Sequence, residues 1–506
     1  MATHRNTVLI VLIILAVASF FRFYQIADTP PGLYPDEAMN GTNALDSLET
    51  GDFRVFYPDN NGREGLFITL QAFSIKIFGI HPWSLRIVSA LIGVLTILGL
   101  FLLTRQLYDA NMAYLASFLG AIAFWHVNFS RIGFRAIMVP LILVYAFYFI
   151  WKGLQKNNLI DFFWAGLISG LGFYTYTSYR VALFIPLVLF ITYWAYLRKD
   201  FSHSKYEITR YYLLRGFALF FLVAFFTALP LAIYFIQHLD QFFSRAGEYL
   251  SVFHQSEPLK ALGESIVKTL GMFNFYGDPN QRHNISGAPM LSLPMSLLFL
   301  IGFIKEFMHW IRRKHGHLSP LHTFLFSWFF IMLLPGFLSI EAPHALRTIG
   351  VIPVVMIFTA RGLWWIFEKF GAWYDIYHPS HHSRAAITMP AARITLVIFL
   401  VALSFLEFYR YFTVWGKDQD TPGAFNSSYV RIAKEINALP LEEKKYILVS
   451  AGGTIAKGFP VPAQTVMFLT DSGTLEKQKE KNIFYLTPET MKKTTIPKNS
   501  KIFELK

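Results

Sequence analysis

The chain has 506 residues, of which 54% are hydrophobic and only 15% charged, and its mean hydropathy is +0.40. A soluble globular protein typically carries about 25% charged residues, so this composition cannot cover the water-facing surface of a chain of this length. The apolar residues instead form separate runs of roughly 18–24 residues, long enough to cross a hydrocarbon core of about 30 Å. The composition therefore excludes a soluble fold and predicts a polytopic protein of the lipid bilayer.

The formal net charge of +13 would suggest a nucleic-acid partner in a soluble chain. Here the basic residues cluster in short loops on alternate sides of the apolar runs, which is the positive-inside pattern, so we expect no nucleic-acid partner. The absence of cysteine excludes disulfides, thiolate metal sites and a cysteine nucleophile. The first apolar run lacks a small-residue cleavage site after it, so we expect it to be retained as a span.

Eleven runs are predicted to span the membrane as helices, at 8–26, 83–104, 112–130, 136–152, 162–179, 181–197, 213–237, 289–310, 320–340, 346–367 and 393–414. The most basic loops follow the sixth, eighth and tenth runs, and all three fall on one side. That side is predicted to be cytoplasmic. We therefore expect a multi-pass protein of the plasma (cytoplasmic) membrane with a cytoplasmic N-terminus and an extracytoplasmic C-terminus.

Two long loops, 27–82 and 238–288, fall on the predicted outer side. The first ends in GLFITLQAFSIKIFG (65–79), which is apolar but too short to span, and this predicts a helix lying along the outer leaflet. The second contains LKALGESIVKTLGMF (259–273), which is amphipathic at helical spacing. Large structured loops on one face of a bundle favour chemistry on that face.

The composition becomes that of a soluble chain after about residue 415. The pattern there predicts one helix and three strands, at 427–439, 445–450, 482–486 and 501–505. We therefore predict two units: an all-α transmembrane bundle at 1–415 and a small extracytoplasmic α/β domain at 416–506. The second unit contains no phosphate loop, metal-ligand spacing or catalytic triad that would indicate its role.

Charged residues at the predicted outer ends of spans are costly near hydrocarbon and are often functional. The acidic candidates are Asp36, Glu37 and Glu64. The candidates for binding an anion are Arg63, Arg131, Arg135, Tyr176, Arg180, Arg282, His283, His344 and Arg347. A single arginine can simply anchor a span at the interface. A set of them at one depth favours a phosphate ligand, because arginine presents a planar fork of donors.

A metal site is not indicated by the sequence. His378, His381 and His382 stand close together, but their loop is predicted to be solvated and cytoplasmic. We therefore assign no metal ligand and no cofactor at this stage, and a divalent ion is left as an open alternative.

Several segments occur in an order that resembles a known family. The first span is followed by GLYPDEAMNGTNAL, NNGREGLFITLQAFSIKIFG and HPWSLRIVSALIGVLTILGLFLLTR, and then by SRIGFRAIMVPL, GFYTYTSYRVALFIPL, GDPNQRHNISGAPML and EAPHALRTIGVIPV. This set, over about 8–415, resembles the membrane glycosyltransferases of the GT-C fold, specifically the protein O-mannosyltransferase and aminoarabinose-transferase superfamily.

The resemblance implies an inverting transfer of a sugar from a polyprenyl-phosphate carrier at the outer membrane face. The sugar (mannose-like or another hexose or pentose) and the acceptor (lipid, glycan or protein) are left open. The family's essential acidic residue maps onto Asp36, and the residues ahead of its interfacial helix map onto Arg63 and Glu64. Members often have Lys-Pro-Pro where this chain has Arg-Glu-Gly, and an aspartate of some relatives is missing from 131–136.

Two site hypotheses follow from the residues and the resemblance together. Asp36 is predicted to be the catalytic base, with Glu37 and Glu64 as alternatives, because the acceptor hydroxyl must lose a proton while polyprenyl phosphate leaves readily. The competing interpretation is that Asp36 only caps a helix at 38–48. Arg347 is predicted to hold the donor phosphate, with His344 and the Arg282-His283 pair as secondary contacts. His344 and Arg347 are three residues apart and would share one face of a helical turn entering the tenth run.

Two other functions are compatible with the sequence. An O-glycan ligase or polymerase of the same fold would need similar catalytic groups. A secondary transporter would be expected to show inverted repeats and ionisable groups near the bilayer midplane. Because the ionisable groups of this chain lie at one interface and no repeated halves are visible, the transporter is the weaker alternative.

Overall fold

The structure is a computed structural model that describes residues 2–199, 209–244, 251–312, 319–377 and 385–506. The loop with His378, His381 and His382 lies outside these residues. The helices up to residue 408 are α1 (Ala2–Phe23), α2 (Pro35–Thr50), α3 (Gly65–Phe78), α4 (Pro82–Leu107), α5 (Ala110–Ile122), α6 (Phe124–Phe129), α7 (Met138–Lys156), α8 (Leu159–Leu171), α9 (Phe184–Lys199), α10 (Arg210–Gln237), α11 (Leu239–Ser244), α12 (Pro258–Gly271), α13 (Leu293–Ile311), α14 (Pro320–Phe337), α15 (Ile352–Tyr377) and α16 (Ala385–Phe408).

Within the described ranges, nine helical segments are long and apolar enough to span a membrane. The all-α membrane bundle expected from the sequence is therefore confirmed. The other two predicted runs, 112–130 and 162–179, are helical but shorter. The first breaks at Ala123, whose ψ of 121° ends α5, and α8 passes at Leu171 into a 3₁₀ turn, Gly172–Tyr174.

The long connections gather at one end of the bundle, which we call the loop face: residues 24–81, 130–137, 172–183, 238–244, 251–292, 338–351 and 409–506. Contacts between these connections establish their common position, for example the backbone N–H of Gly133 on Glu37 and that of Ala345 on Asp278. At the opposite end, Tyr108 donates to Glu306. Every site residue predicted from the sequence lies on the loop face.

The connection between α1 and α4 is built around α2 and α3. Pro35 opens α2, as proline does at a first helical position, and Gly51 ends it with a φ of 72°. A short antiparallel hairpin follows, β1 (Phe56–Tyr57) and β2 (Arg63–Glu64), and leads directly into α3. The helices predicted at 65–79 and 259–273 are both present, as α3 and α12. Each exposes large apolar side chains, such as Ile77 and Val267.

The C-terminal part contains every element predicted from its sequence. Strands β3 (Lys445–Val449), β6 (Ile483–Leu486) and β7 (Lys501–Leu505) form a parallel sheet in the order β6-β3-β7. A small hairpin, β4 (Ile455–Ala456) and β5 (Phe459–Pro460), lies apart from that sheet. The helices are α17 (Thr421–Ala424), α18 (Ser427–Ala438), α19 (Gln464–Leu469), α20 (Leu475–Glu480) and α21 (Pro488–Met491).

Candidate active site

Asp36 is the second residue of α2 and is half-buried on the loop face. Its Oδ1 accepts a hydrogen bond of 2.7 Å from Nδ2 of Asn60. The cap of this helix is Tyr34, and the helix begins at Pro35. The alternative in which Asp36 caps a helix at 38–48 is therefore wrong, because Asp36 already lies inside the first turn.

Glu37, although adjacent, has entirely different surroundings. It is fully buried, with its Oε2 3.1 Å from Nε of Arg86 and its Oε1 3.3 Å from Nη2. The backbone N–H of Gly133 donates to Oε2 over 2.7 Å. Glu37 thus ties α2 to α4 and to the loop before α7, and its lone pairs are occupied. Sequence reasoning missed Arg86, whose only signal was a basic residue near the start of an apolar run.

Glu64 forms a second buried ion pair, with Arg135. The Arg135 Nε–Glu64 Oε2 distance is 2.6 Å, and the guanidinium carbon lies 5.2 Å from the centre of the Tyr176 ring. Nη2 of Arg135 is buried without a hydrogen-bond partner among the described residues. Arg180 lies 4.5 Å from the centre of the Phe242 ring. Arg135 and Arg180 therefore have N–H donors that could bind an anion.

Arg63 and Arg131 are used to hold the fold together. Nη1 and Nη2 of Arg63 donate to the side-chain oxygens of Asn40 and Asn43 over 2.7 and 2.6 Å. Arg131 donates to the carbonyl oxygens of Phe21 and Thr29 over 3.0 and 2.8 Å. Both arginines are buried, and their terminal nitrogens are engaged inside the protein. Neither turns its planar fork towards a ligand.

The predicted residues His283 and His344 meet around a carboxylate that sequence reasoning missed, Asp278. Oδ2 of Asp278 accepts a 2.7 Å hydrogen bond from the backbone N–H of Ala345 and lies 2.9 Å from Nδ1 of His283. Nδ1 of His344 is 3.9 Å from the same oxygen. The polar run DPNQRHN was visible in the sequence, but only its Arg282 and His283 were singled out.

Burial and charge both act on this cluster. Burial alone would raise the pKa of Asp278, but its hydrogen bond and charge interaction with His283, and the charge of His344, bring that pKa below its ordinary value. Burial, reinforced by the charges of His283, Arg347 and Arg282 and opposed by Asp278, lowers the pKa of His344 to about 3. His344 is therefore a neutral imidazole at neutral pH.

Arg282 connects this cluster to Asp36. Its guanidinium carbon lies 4.1 Å from the centre of the Tyr34 ring, and its Nε is buried without a partner among the described residues. Burial and the charge of Asp36 raise the pKa of Tyr34, against the opposing charge of Arg282. The centre of the Phe134 ring lies 6.0 Å from the centre of the Tyr34 ring and 6.4 Å from that of the His283 ring. Arg282 therefore contacts Tyr34, and His283 contacts Phe134, which packs on Tyr34.

Arg347 is placed differently from the sequence prediction. Residues 345–348 form turns, and α15 begins only at Ile352, after the 3₁₀ turn Ile349–Val351. The expectation that His344 and Arg347 lie at the start of the helix is therefore wrong, although both side chains approach the same residue, Glu341. Arg347 is ion-paired with Glu341 and donates to Oγ of Ser339. Glu341 also approaches His344, with 3.8 Å between Oε2 and Nε2.

Part of this chain is similar to proteins that are named as mannosyltransferases. The family model described as dolichyl-phosphate-mannose-protein mannosyltransferase matches residues 66–234. YkcB of Bacillus subtilis (strain 168), a candidate mannosyltransferase by its name, is 28% identical over 182 residues. That match covers 34% of this chain and only 24% of YkcB, so it spans about a quarter of that relative.

Two solved structures share the fold over nearly the whole chain. ArnT from Cupriavidus metallidurans, bound to undecaprenyl phosphate, has a TM-score of 0.57 at 13% identity and covers 97% of this chain and 91% of its own. The oligosaccharyltransferase AglB from Archaeoglobus fulgidus, in complex with an inhibitory peptide and a dolichol-phosphate, has a TM-score of 0.53 at 14% identity, with coverages of 92% and 64%. The chain therefore has the GT-C fold of membrane glycosyltransferases.

Proposed function

We propose that this protein is a membrane glycosyltransferase that moves a sugar from a polyprenyl-phosphate carrier to an acceptor hydroxyl, with inversion, on the extracytoplasmic face. Two structures of the same fold are bound to undecaprenyl phosphate and to a dolichol-phosphate. The names of the matching family model and of YkcB both refer to mannosyl transfer, which supports mannose as a candidate sugar. The loop face carries the candidate residues, and its extracytoplasmic position rests on the distribution of basic loops.

One observation supports Asp36 as the base. Of the three predicted carboxylates, Glu37 is paired with Arg86 and Glu64 with Arg135. Asp36 makes no ion pair with any described residue and is only half-buried. A base must accept a proton from the acceptor hydroxyl, and a carboxylate already saturated by a guanidinium is poorly suited to this. A single positioned carboxylate is sufficient for inversion, since a double displacement would also need a nucleophile.

The carrier phosphate needs stabilisation of the charge that develops as it leaves. Arg282, Arg135 and Arg180 carry donors that the described residues leave unused, and all three lie on the loop face. Arg282 is the one of the three that contacts Tyr34, beside Asp36. In this proposal Arg282 binds the phosphate near the base, and the other two arginines extend the positive surface towards α10.

The test is sugar transfer from a labelled polyprenyl-phosphate sugar by the purified protein. We expect Asp36→Asn to lower turnover by about 10²–10⁴-fold, the usual contribution of a general base. The matched control is Asp52→Asn, which removes an exposed carboxylate paired with Arg54 and should leave turnover unchanged. Near-normal turnover in a folded Asp36→Asn protein would overturn the assignment.

The sugar and the acceptor are addressed by a separate measurement. Mass spectrometry of lipids, glycans and glycoproteins from a deletion strain should reveal a missing modification whose mass identifies the sugar. Loss of a whole preassembled glycan would instead point to a ligase or polymerase of the same fold.

A further inference from the structure

We propose that Asp278, His283 and His344 form a binding site for one divalent transition-metal ion, with Zn²⁺ as the first expectation. Each residue offers one ligand atom, and these atoms all lie within 4.8 Å of one another. Two of the ligands come from the end of the connection before α13 and the third from the connection before α15. The site is therefore assembled only in the folded chain.

The distances suit a first-row ion with little rearrangement. The Oδ2 of Asp278 lies 2.9 Å from Nδ1 of His283 and 3.9 Å from Nδ1 of His344. Zinc binds imidazole nitrogen and carboxylate oxygen at about 2.0–2.2 Å, so its ligands stand roughly 3–3.5 Å apart around a tetrahedral ion. Two imidazoles and one carboxylate favour zinc or a neighbouring transition metal over Mg²⁺ or Ca²⁺, which prefer oxygen alone.

An unsatisfied nitrogen points to a ligand at this place. Nδ1 of His344 is buried and has no hydrogen-bond partner among the described residues. Leaving such an atom unpaired costs about 1–3 kcal/mol. The nearby Asp278 oxygen already accepts hydrogen bonds from His283 and from the backbone of Ala345. A cation between the two rings would satisfy the free nitrogen and draw all three side chains together.

Surrounding groups hold the ligands in place, as is usual for metal sites. Both oxygens of Asp278 accept a backbone N–H, Oδ1 from Asn280 over 2.8 Å and Oδ2 from Ala345 over 2.7 Å. The other ring nitrogen of His344 faces Glu341 at 3.8 Å. Glu341 also pairs with Arg347, which offsets a positive charge that would otherwise repel an ion.

Three protein ligands leave at least one coordination position for another group. Use of that position for the phosphate of the lipid carrier, beside Arg282, would rest on the proposed function. Binding of the metal itself does not depend on that function, so the test below uses the metal alone and does not measure sugar transfer.

The experiment is zinc loading of the purified full-length protein after removal of metals with a chelator. Bound zinc is counted by elemental analysis after gel filtration, and its affinity is measured by calorimetric titration. We expect one zinc ion per chain in the wild type, and at least tenfold weaker binding in His283→Ala and His344→Ala. The matched control is His254→Ala, which removes an exposed histidine of the same long connection and should bind as the wild type does.

A second measurement uses only the wild-type protein, so the test remains decisive if the histidine variants fail to fold. X-ray absorption at the zinc edge of the wild-type protein should show two imidazole nitrogens in the first coordination sphere. The proposal is overturned if the wild type retains no zinc, if both histidine variants retain it with unchanged affinity, or if the absorption spectrum shows no imidazole ligand.

Discussion

Asp36 and Glu37 are adjacent in sequence, but their side chains carry out different tasks. Glu37 points into the protein against Arg86 and Gly133, while the half-buried Asp36 accepts a hydrogen bond from Asn60 at the start of α2. A buried ion pair is destabilising when one partner is removed, because the other charge is left without compensation. The two residues should therefore differ in what their substitution destroys.

Glu37→Gln tests this difference through stability. The substitution leaves the Arg86 guanidinium buried without its counter-charge, so we expect a loss of about 3–5 kcal/mol in the free energy of unfolding. The measurement is thermal denaturation in detergent, with Asp36→Asn as the matched comparison, which should unfold close to the wild-type temperature. Equal melting temperatures for the wild type and Glu37→Gln would show that the pair contributes no net stability.

Binding of the carrier phosphate can be used to compare Arg282 with Arg347. The sequence prediction favoured Arg347, whereas the structure pairs Arg347 with Glu341 and leaves Nε of Arg282 without a hydrogen-bond partner among the described residues. Because a hydrogen bond to a charged group contributes about 1.5–3 kcal/mol, we expect Arg282→Ala to weaken binding of undecaprenyl phosphate by about 10–100-fold. Arg347→Ala should have a smaller effect in the same direct binding assay. The reverse order would restore the prediction made from the sequence.

At the scale of elements, one carboxylate joins several helices at the end of the bundle opposite the loop face. Glu306 of α13 accepts from Tyr108, just after α4, over 2.9 Å, and from Arg361 of α15 over 2.5 Å. Its Oε2 also lies 3.1 Å from Nε2 of His322 in α14. One side chain thus links the ends of four helices.

Glu306→Ala should therefore loosen the bundle without altering the ligand site. We expect a clear fall in melting temperature, because Arg361 and Tyr108 lose their common acceptor at a position where Glu306 is only 1% exposed. Affinity for undecaprenyl phosphate, measured below the melting transition, should match the wild type. A matched control is Glu368→Ala, which removes an exposed carboxylate of α15 that forms no ion pair with any described residue, and it should melt normally.

The elements themselves were largely accessible from the sequence, because long apolar runs and amphipathic periods depend on local pattern. The break at Ala123 was not, since the run 112–130 is apolar on both sides of it. Asp278 and Arg86 were also missed. Each acquires its role from partners far along the chain, Ala345 and Glu37, and no local pattern encodes those partners.

At the scale of the whole molecule, the C-terminal part is packed directly on the helix that carries Asp36. The Phe468 ring of α19 is fully buried, and a Cβ added to Gly41 of α2 would approach it to 2.6 Å. Oγ1 of Thr465 donates to the carbonyl of Leu33 over 3.1 Å, just before α2 begins. Ion pairs join Lys457 to Asp46 and Lys477 to Glu49. The C-terminal part therefore contacts α2 along its length, through apolar packing, a hydrogen bond and two ion pairs.

Phe468→Ala tests whether this packing sets the position of the proposed base. Truncating a buried phenylalanine typically lowers the free energy of unfolding by about 3–5 kcal/mol. Here the lost packing is the contact between α19 and α2. A displacement of about 1 Å at a reacting group can cost about 10²-fold in rate, so we expect turnover to fall by up to that factor while the membrane helices stay folded. Phe484→Ala, which removes a ring stacked on Tyr446 in the sheet away from α2, is the matched control. If both variants turned over at the wild-type rate, α2 would hold Asp36 in place without help from the C-terminal part, and the packing would serve only to attach that part to the loop face.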